Sequence, residues 1–275
     1  MAVRVVRQAM VGRIASLAAL LLAVCGCTGT GEAAEEDAGT RQARETVRQL
    51  PEVLAGAGSS LVATAMEMTS GGTRVTIRGE GGYDFVTRSG ELRVTLPLEI
   101  PAGAVPPVTE VFTPGALYMK NRGAGVPADK WVRVDVTTLT DGNLVANGAT
   151  DPLLAAELLR GVVSVRELPE LELNGEWVRH LRGVTDLVVA AREASGPAGE
   201  QLVAALAGFA DPVVPFDAYL GADGLPRKIR HQFSLGSERG PAGVDVASTV
   251  EFSGFGTPVT VYLPVPEDLY TGAVG

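Results

Sequence analysis

The sequence predicts an α+β fold in which one large curved antiparallel sheet, a half-barrel, carries helices against its concave face. Three observations lead there. Apolar residues alternate with polar ones over many short runs separated by glycine turns, the period of two expected of antiparallel strands with one apolar face. A few stretches change to helical spacing. No linker divides the body of the chain, so those helices are expected to close the apolar sheet face that water would otherwise reach.

The chain opens with Arg4, Arg7 and Arg13, no acidic residue, and a short apolar run from Ile14 to Val24. A basic start, an apolar centre and small residues before a cut describe a secretory signal peptide over residues 1–26. The run falls short of the roughly 20 residues that span a bilayer. Its end, Val24-Cys25-Gly26-Cys27, resembles a bacterial lipobox, which implies a diacylglycerol thioether on Cys27; Cys25, after Leu22-Ala23-Val24, is the alternative. The expected address is the outer face of the cell membrane, held by acyl chains. Residues 27–39, rich in Gly, Thr, Ala and Glu, read as a flexible tether, and residues 40–275 as a single domain.

From Thr40 on, Ala43, Val47, Leu50 and Leu54 recur at helical spacing, so an amphipathic helix is expected after a Thr cap, kinked or ended by Pro51. The period then changes to two. Val62, Thr64, Met66 and Met68 share a strand face before the turn Ser70-Gly71-Gly72, and Val75 and Ile77 alternate with Arg74, Thr76 and Arg78. Gly79 to Gly82 read as another turn, followed by Tyr83 and Phe85. Leu92, Val94, Leu96 and Leu98 stand opposite Arg93 and Thr95. Beyond a loop at Pro101 to Pro107, Val108 to Phe112, Ala116 to Lys120 and Trp131 to Val136 continue the meander.

Asp151-Pro152 opens a second clear helix, with Asp as N-cap and Pro in the first turn; Leu154 and Leu158 form its stripe and Gly161 its stop. Strands are expected at Val162 to Leu168 and Glu176 to Val189, then a helix over Gly199 to Phe209. Four more strands follow, at Val213 to Leu220, Leu225 to Leu235, Val244 to Phe252 and Val259 to Leu263. Asp223-Gly224 marks the hairpin between the first two of these.

Composition narrows the partners. Hydrophobic residues make up 46% of the 275, enough for a sizeable core. The formal charge is −9, and three of the 23 basic residues lie in the signal segment, so the chain from Cys27 on is near −12. That charge argues against nucleic acid and against electrostatic docking on anionic lipids. Both cysteines lie in the signal region, which leaves the body without disulfide or thiol chemistry. Arginine far outnumbers lysine, a bias of GC-rich genomes that points towards actinobacteria.

Several motifs carry a family resemblance. They are Leu117-Tyr118-Met119-Lys120, Lys130-Trp131-Val132-Arg133-Val134-Asp135, Asp151-Pro152-Leu153-Leu154, Val213 to Leu220, Asp223 to Ile229, and Phe252-Ser253-Gly254-Phe255-Gly256-Thr257-Pro258-Val259. In these the chain resembles the LppX/LprAFG group of actinobacterial lipoproteins, whose fold is like that of the LolA and LolB lipoprotein carriers. The resemblance implies a cavity for the acyl chains of a lipid or lipoglycan between sheet and helices. Its motifs are turns and strand starts, so they speak to fold before function.

Catalytic and metal signals are weak. No Gly-x-Ser-x-Gly elbow, P-loop or zinc-ligand cluster is present, and no cofactor or metal is expected. Asp141-Gly142-Asn143 lacks the remaining ligands of a calcium loop and reads as a turn. His231, between Ile229 and Phe233, is either a polar group in a ligand cavity or a hydrogen-bonded core histidine. His180, among Arg179 and Arg182, reads as part of a solvated face. Trp131 packs under a neighbouring loop or helix, lines a protein-contact patch or rims a ligand mouth.

The reading is a non-enzymatic, membrane-anchored lipid or lipoglycan carrier, with Val75, Ile77, Val94, Leu96, Val132, Val134, Met66, Ile229, His231 and Phe233 as candidate cavity residues. The alternative is a structural or regulatory surface lipoprotein with a filled core, acting through an unknown protein partner. Void volume separates them: a carrier needs several hundred cubic ångströms of apolar space.

Overall fold

A computed structural model describes residues 37–97, 106–121, 125–209, 211–235 and 244–272. The signal segment, Cys25, Cys27 and the tether up to residue 36 lie outside the described residues, as do Leu98 and most of the loop before Val108.

Among the described residues eleven strands form one open antiparallel sheet: β1 (Ser59–Ser70), β2 (Thr73–Asp84), β3 (Ser89–Thr95), β4 (Val108–Thr113), β5 (Ala116–Lys120), β6 (Trp131–Asp135), β7 (Val162–Leu173), β8 (Glu176–Asp186), β9 (Val213–Leu220), β10 (Pro226–Leu235) and β11 (Val244–Ser253). Their order across the sheet is β6-β5-β4-β3-β2-β1-β11-β10-β9-β8-β7. The first and last strands therefore pair at the centre, and each half is a meander running outward to an edge. This arrangement dictates the next feature. The connection from β6 to β7 has to travel from one edge of the sheet to the other. It does so over the concave face, as a 3-10 turn (Val136–Thr138), an irregular stretch, α3 (Pro152–Glu157) and a second 3-10 turn (Leu158–Gly161). We call residues 136–161 the cover.

The remaining helices extend that layer. α1 (Ala38–Arg48) and α2 (Leu50–Ala57) bury the expected stripe Ala43, Val47, Leu50 and Leu54. The cap is Asp37, not Thr40: its carboxylate accepts from the amides of Gly39 and Thr40, so the helix starts inside the predicted tether. The break falls at Gln49, just ahead of Pro51. Arg160 reaches Glu52 at 2.6 Å and also pairs with Glu157, tying α2 to the end of the cover. α4 (Leu187–Glu193) and α5 (Gly196–Ala205) complete the layer.

Three expectations change. Gly79 to Gly82 are not a turn; β2 runs through them to Asp84, and the chain reverses at 85–88. These glycines serve close packing within the sheet, since a Cβ on Gly81 would strike the Glu91 carbonyl and one on Gly79 the Thr64 hydroxyl. The strand expected to reach Val189 stops at Asp186, whose carboxylate caps α4 by accepting from the Val188 and Val189 amides. Val259 to Leu263 form no strand but belong to an extended strap. The strap ends with the Tyr270 amide donating to the Trp131 carbonyl at 2.8 Å, so it is this segment that shields edge strand β6.

Candidate functional site

The site is the seam between cover and concave face. Along the sheet, β1 offers Val62, Thr64 and Met66 inward, buried, while Leu61 points out. Register continues this face sideways. Met66 lies between Ile77 on β2 and Ser248 on β11, and Ser248 lies opposite His231 on β10. Thr64 lies between Gly79 and Val250 in the same way. A narrow polar stripe thus crosses an otherwise apolar surface.

Of the ten cavity candidates, Met66, Ile77, Val94, Val132, Ile229, His231 and Phe233 are buried on this face, and Val134 is half-buried beside it. Val75 and Leu96 are different, at 36% and 37% exposed. Their alternation continues the pattern of Ile77 and Val94 past the ground that the cover shields, so they stand open to solvent.

The cover sits directly on these residues. Gly148 adopts φ 95°, and a Cβ there would lie 3.3 Å from Ile77 Cγ2 and 3.6 Å from Val94 Cγ1. Asp141 shapes the preceding loop: its carboxylate accepts from the amides of Asn143, Val145 and Ala146, with Gly142 and Asn143 at positive φ. The Asp141-Gly142-Asn143 motif is therefore the expected turn, its carboxylate committed to backbone amides. Leu144, Val145 and Ala149 of this loop are buried in the same core cluster as the sheet residues.

Two consecutive cover residues bind the sheet. Thr150 Oγ1 is 2.6 Å from Ser248 Oγ on β11 and donates to the Leu144 carbonyl at 2.8 Å. Asp151 caps α3, accepting from the Leu153 and Leu154 amides, and takes a hydrogen bond of 3.1 Å from the Tyr83 hydroxyl on β2. Strands β11 and β2 flank β1, so Thr150 and Asp151 straddle the central strand. Burial raises the Asp151 carboxyl to about 6 against the lowering pull of these donors, and burial beside Asp151 pushes the Tyr83 phenol well up.

Not every polar group under the cover is satisfied. Ser60 Oγ, Thr64 Oγ1, Asn143 Nδ2 and His231 Nε2 are buried without a hydrogen-bond partner among the described residues. His231 is 1% exposed, and burial lowers its pKa to about 3, so the imidazole is neutral.

A cavity of about 20 Å³ lies between Tyr83, Asp151, Leu154, Pro197 and Gln201. Larger grooves open elsewhere: one of about 610 Å³ beside Leu61, Leu173 and Phe255 on the opposite sheet face, and one of about 530 Å³ among Glu45, Arg48, Glu52 and Arg160.

That opposite face holds what the sequence missed. His180 is buried, joined to Asp217 Oδ1 by a 2.6 Å hydrogen bond and stacked on Tyr219 at 4.4 Å. Arg182 donates to the same oxygen at 2.7 Å. The neighbouring arginines suggested solvent, but the deciding partner lies on β9, 37 residues away. Trp131 forms a parallel backbone bridge with Leu269 of the strap, and the Lys120 ammonium lies 5.6 Å from its ring centre. Among the described residues no group of three His, Cys, Asp or Glu is placed to hold a metal, and no helix is long and apolar enough to cross a membrane.

No protein-family model matches this chain, and no curated protein does. Among solved structures it is similar to the lipoprotein LppX of Mycobacterium tuberculosis, with 14% identity, 81% of this chain and 99% of that chain covered, and a TM-score of 0.45. For LprF of Mycobacterium bovis the values are 13%, 82%, 98% and 0.39, and for an uncharacterised protein of Thermus thermophilus 11%, 77%, 88% and 0.34. The resemblance carried by the sequence motifs thus recurs as a likeness to LppX and LprF. At these identities it is a likeness of fold alone.

Proposed function

We propose that this chain is an exported, non-catalytic binding protein, anchored to the outer face of the cell membrane through Cys27. It takes the acyl part of a lipid or lipoglycan between concave face and cover. The conformation described is its closed, ligand-free form. One observation carries this reading: the unpaired Thr64 hydroxyl and His231 Nε2 beneath the cover. Buried polar groups are almost always paired, and each orphan costs roughly 1–3 kcal/mol. A permanently closed core has no use for them, whereas a ligand's ester or hydroxyl groups, or water entering with it, would pair them. The cover is held at both ends by the edge strands β6 and β7, so its middle can lift without its ends leaving the sheet. Each methylene then buried against Met66, Val94 and Ile229 gains about 0.8 kcal/mol.

The second reading, a filled-core surface lipoprotein, is favoured by the fit of Gly148 on Ile77 and Val94. A disulfide decides between them. The body has no cysteine, and the Thr150 and Ser248 hydroxyls lie 2.6 Å apart, so a T150C/S248C pair should form a unique bond that locks the cover. The carrier reading expects uptake of a fluorescent long-chain fatty acid by the reduced protein and none by the oxidised one. Uptake by neither form supports the filled core. Equal uptake by both places the ligand elsewhere and overturns the cavity.

A further inference from the structure

We infer that Tyr83 and Asp151 form a proton-sensitive latch that holds the cover closed in mild acid and loosens it towards neutral pH. The inference rests on the proposed mobility of the cover and goes beyond it by naming what controls that mobility.

Asp151, the cap of α3, meets the sheet, and its two oxygens divide the labour. Oδ1 accepts from the Leu153 and Leu154 amides, starting the helix; Oδ2 accepts from the Tyr83 hydroxyl, fastening that helix to β2. Tyr83 itself is tightly packed. It is 1% exposed, packs on Phe85 at 5.3 Å between ring centres, and leaves no room for a Cβ on Gly90 across the strand. The carboxylate therefore joins the cover to a tightly packed residue of the sheet.

The surroundings make this junction sensitive to protons. From β2 and its turn, Arg88 and Asp84 are the charged groups that act on the pair. From α5 come Pro197, Ala198 and Gln201, and from the β4–β5 turn Thr113 and Pro114, none of which titrates. The tyrosine hydroxyl and the two amides favour the ionised carboxylate, yet burial outweighs them and leaves its pKa at about 6. Lifting the cover returns Asp151 to water and to its ordinary 3.8. The closed state thus binds the proton more tightly than the open one, so the open fraction grows as pH rises through 6. Between pH 5 and pH 7.5 those two values give an increase of about tenfold in the opening equilibrium.

Hydrogen exchange on the intact domain tests this. After correction for the intrinsic rate, cover amides in residues 139–161 should exchange about tenfold faster at pH 7.5 than at pH 5, with β1 and β11 unchanged. Asp151→Asn keeps the cap and the tyrosine contact but cannot titrate, and should abolish that difference. Tyr83→Phe removes one donor to the ionised form and should speed exchange at pH 7.5 more than at pH 5. Equal corrected protection at both pH values in the native protein overturns the latch, as does an undiminished pH difference in Asp151→Asn. Fatty-acid uptake is a separate readout: pH-graded exchange without uptake sinks the carrier reading and leaves the latch standing.

Discussion

Thr150 Oγ1 and Ser248 Oγ lie 2.6 Å apart, buried, and the threonine also serves the Leu144 carbonyl. A single hydroxyl thus joins the cover to strand β11 and to its own loop. Thr150→Val should strand both the carbonyl and the serine, costing roughly 1–3 kcal/mol in a denaturant titration. Ser248→Ala should cost less, because Thr150 keeps the Leu144 carbonyl. In the double variant the two losses should fall short of their sum, since the serine no longer lacks a partner.

Acid stability should turn on two buried groups of opposite sign. The folded pKa of His231, about 3, lies below its ordinary 6.5, so the unfolded chain takes up the proton first. Its contribution is full above 6.5 and is lost as pH falls from 6.5 towards 3. Asp151, raised from 3.8 to about 6, acts in reverse: its contribution is full below 3.8 and is lost as pH rises through 6. His231→Leu should therefore remove about 3 kcal/mol of destabilisation at pH 4.5, two units below the ordinary histidine value. Thermal melts of both proteins at pH 7.5 and 4.5 measure it. An identical acid loss in the leucine variant would refute the assignment.

Two glycine-to-alanine changes should move stability in opposite directions. At Gly81 a Cβ meets the Glu91 carbonyl, backbone that cannot step aside without opening the β2–β3 ladder. Gly56, inside α2, has no heavy atom within 4 Å of the same position. Gly81→Ala should cost several kcal/mol, and Gly56→Ala should gain about 0.5–1 kcal/mol.

These contrasts show what the residues disclose by themselves. Val62, Thr64 and Met66 declare a strand face because alternation is local. Glycine is ambiguous: Gly71-Gly72 make a turn and Gly79 and Gly81 a tight strand crossing, and the difference lies in Thr64 and Glu91 across the ladder. Asp186 caps α4, but Leu187-Val188-Val189 look like strand and hide that helix from the sequence. The filling of the concave face was the least legible feature. Leu144, Val145 and Ala149 follow no period, and only the pairing of β1 with β11 obliges the chain between β6 and β7 to cross the sheet there.

Val94→Trp separates a removable cover from a permanent core. Val94 is fully buried on β3, and Gly148 of the cover lies against it. The cover backbone at Gly148 already lies in van der Waals range of this side chain, so an indole ring and the seated cover compete for one space. In a permanent core the cover is part of the cooperative unit, and overpacking should lower the stability of the whole domain by roughly 1–3 kcal/mol with protection falling everywhere. If the cover is a separable unit, the ring should displace it alone. Exchange protection should then disappear from 139–161 and persist in β1, β2, β10 and β11, with the far-ultraviolet strand signal retained. Native mass spectrometry completes the test. Lipid that accompanies the native protein should be missing from the variant, because the indole occupies the ground where acyl chains would lie. Uniform loss of protection in Val94→Trp, with no lipid on the native protein, would leave the filled core as the working description.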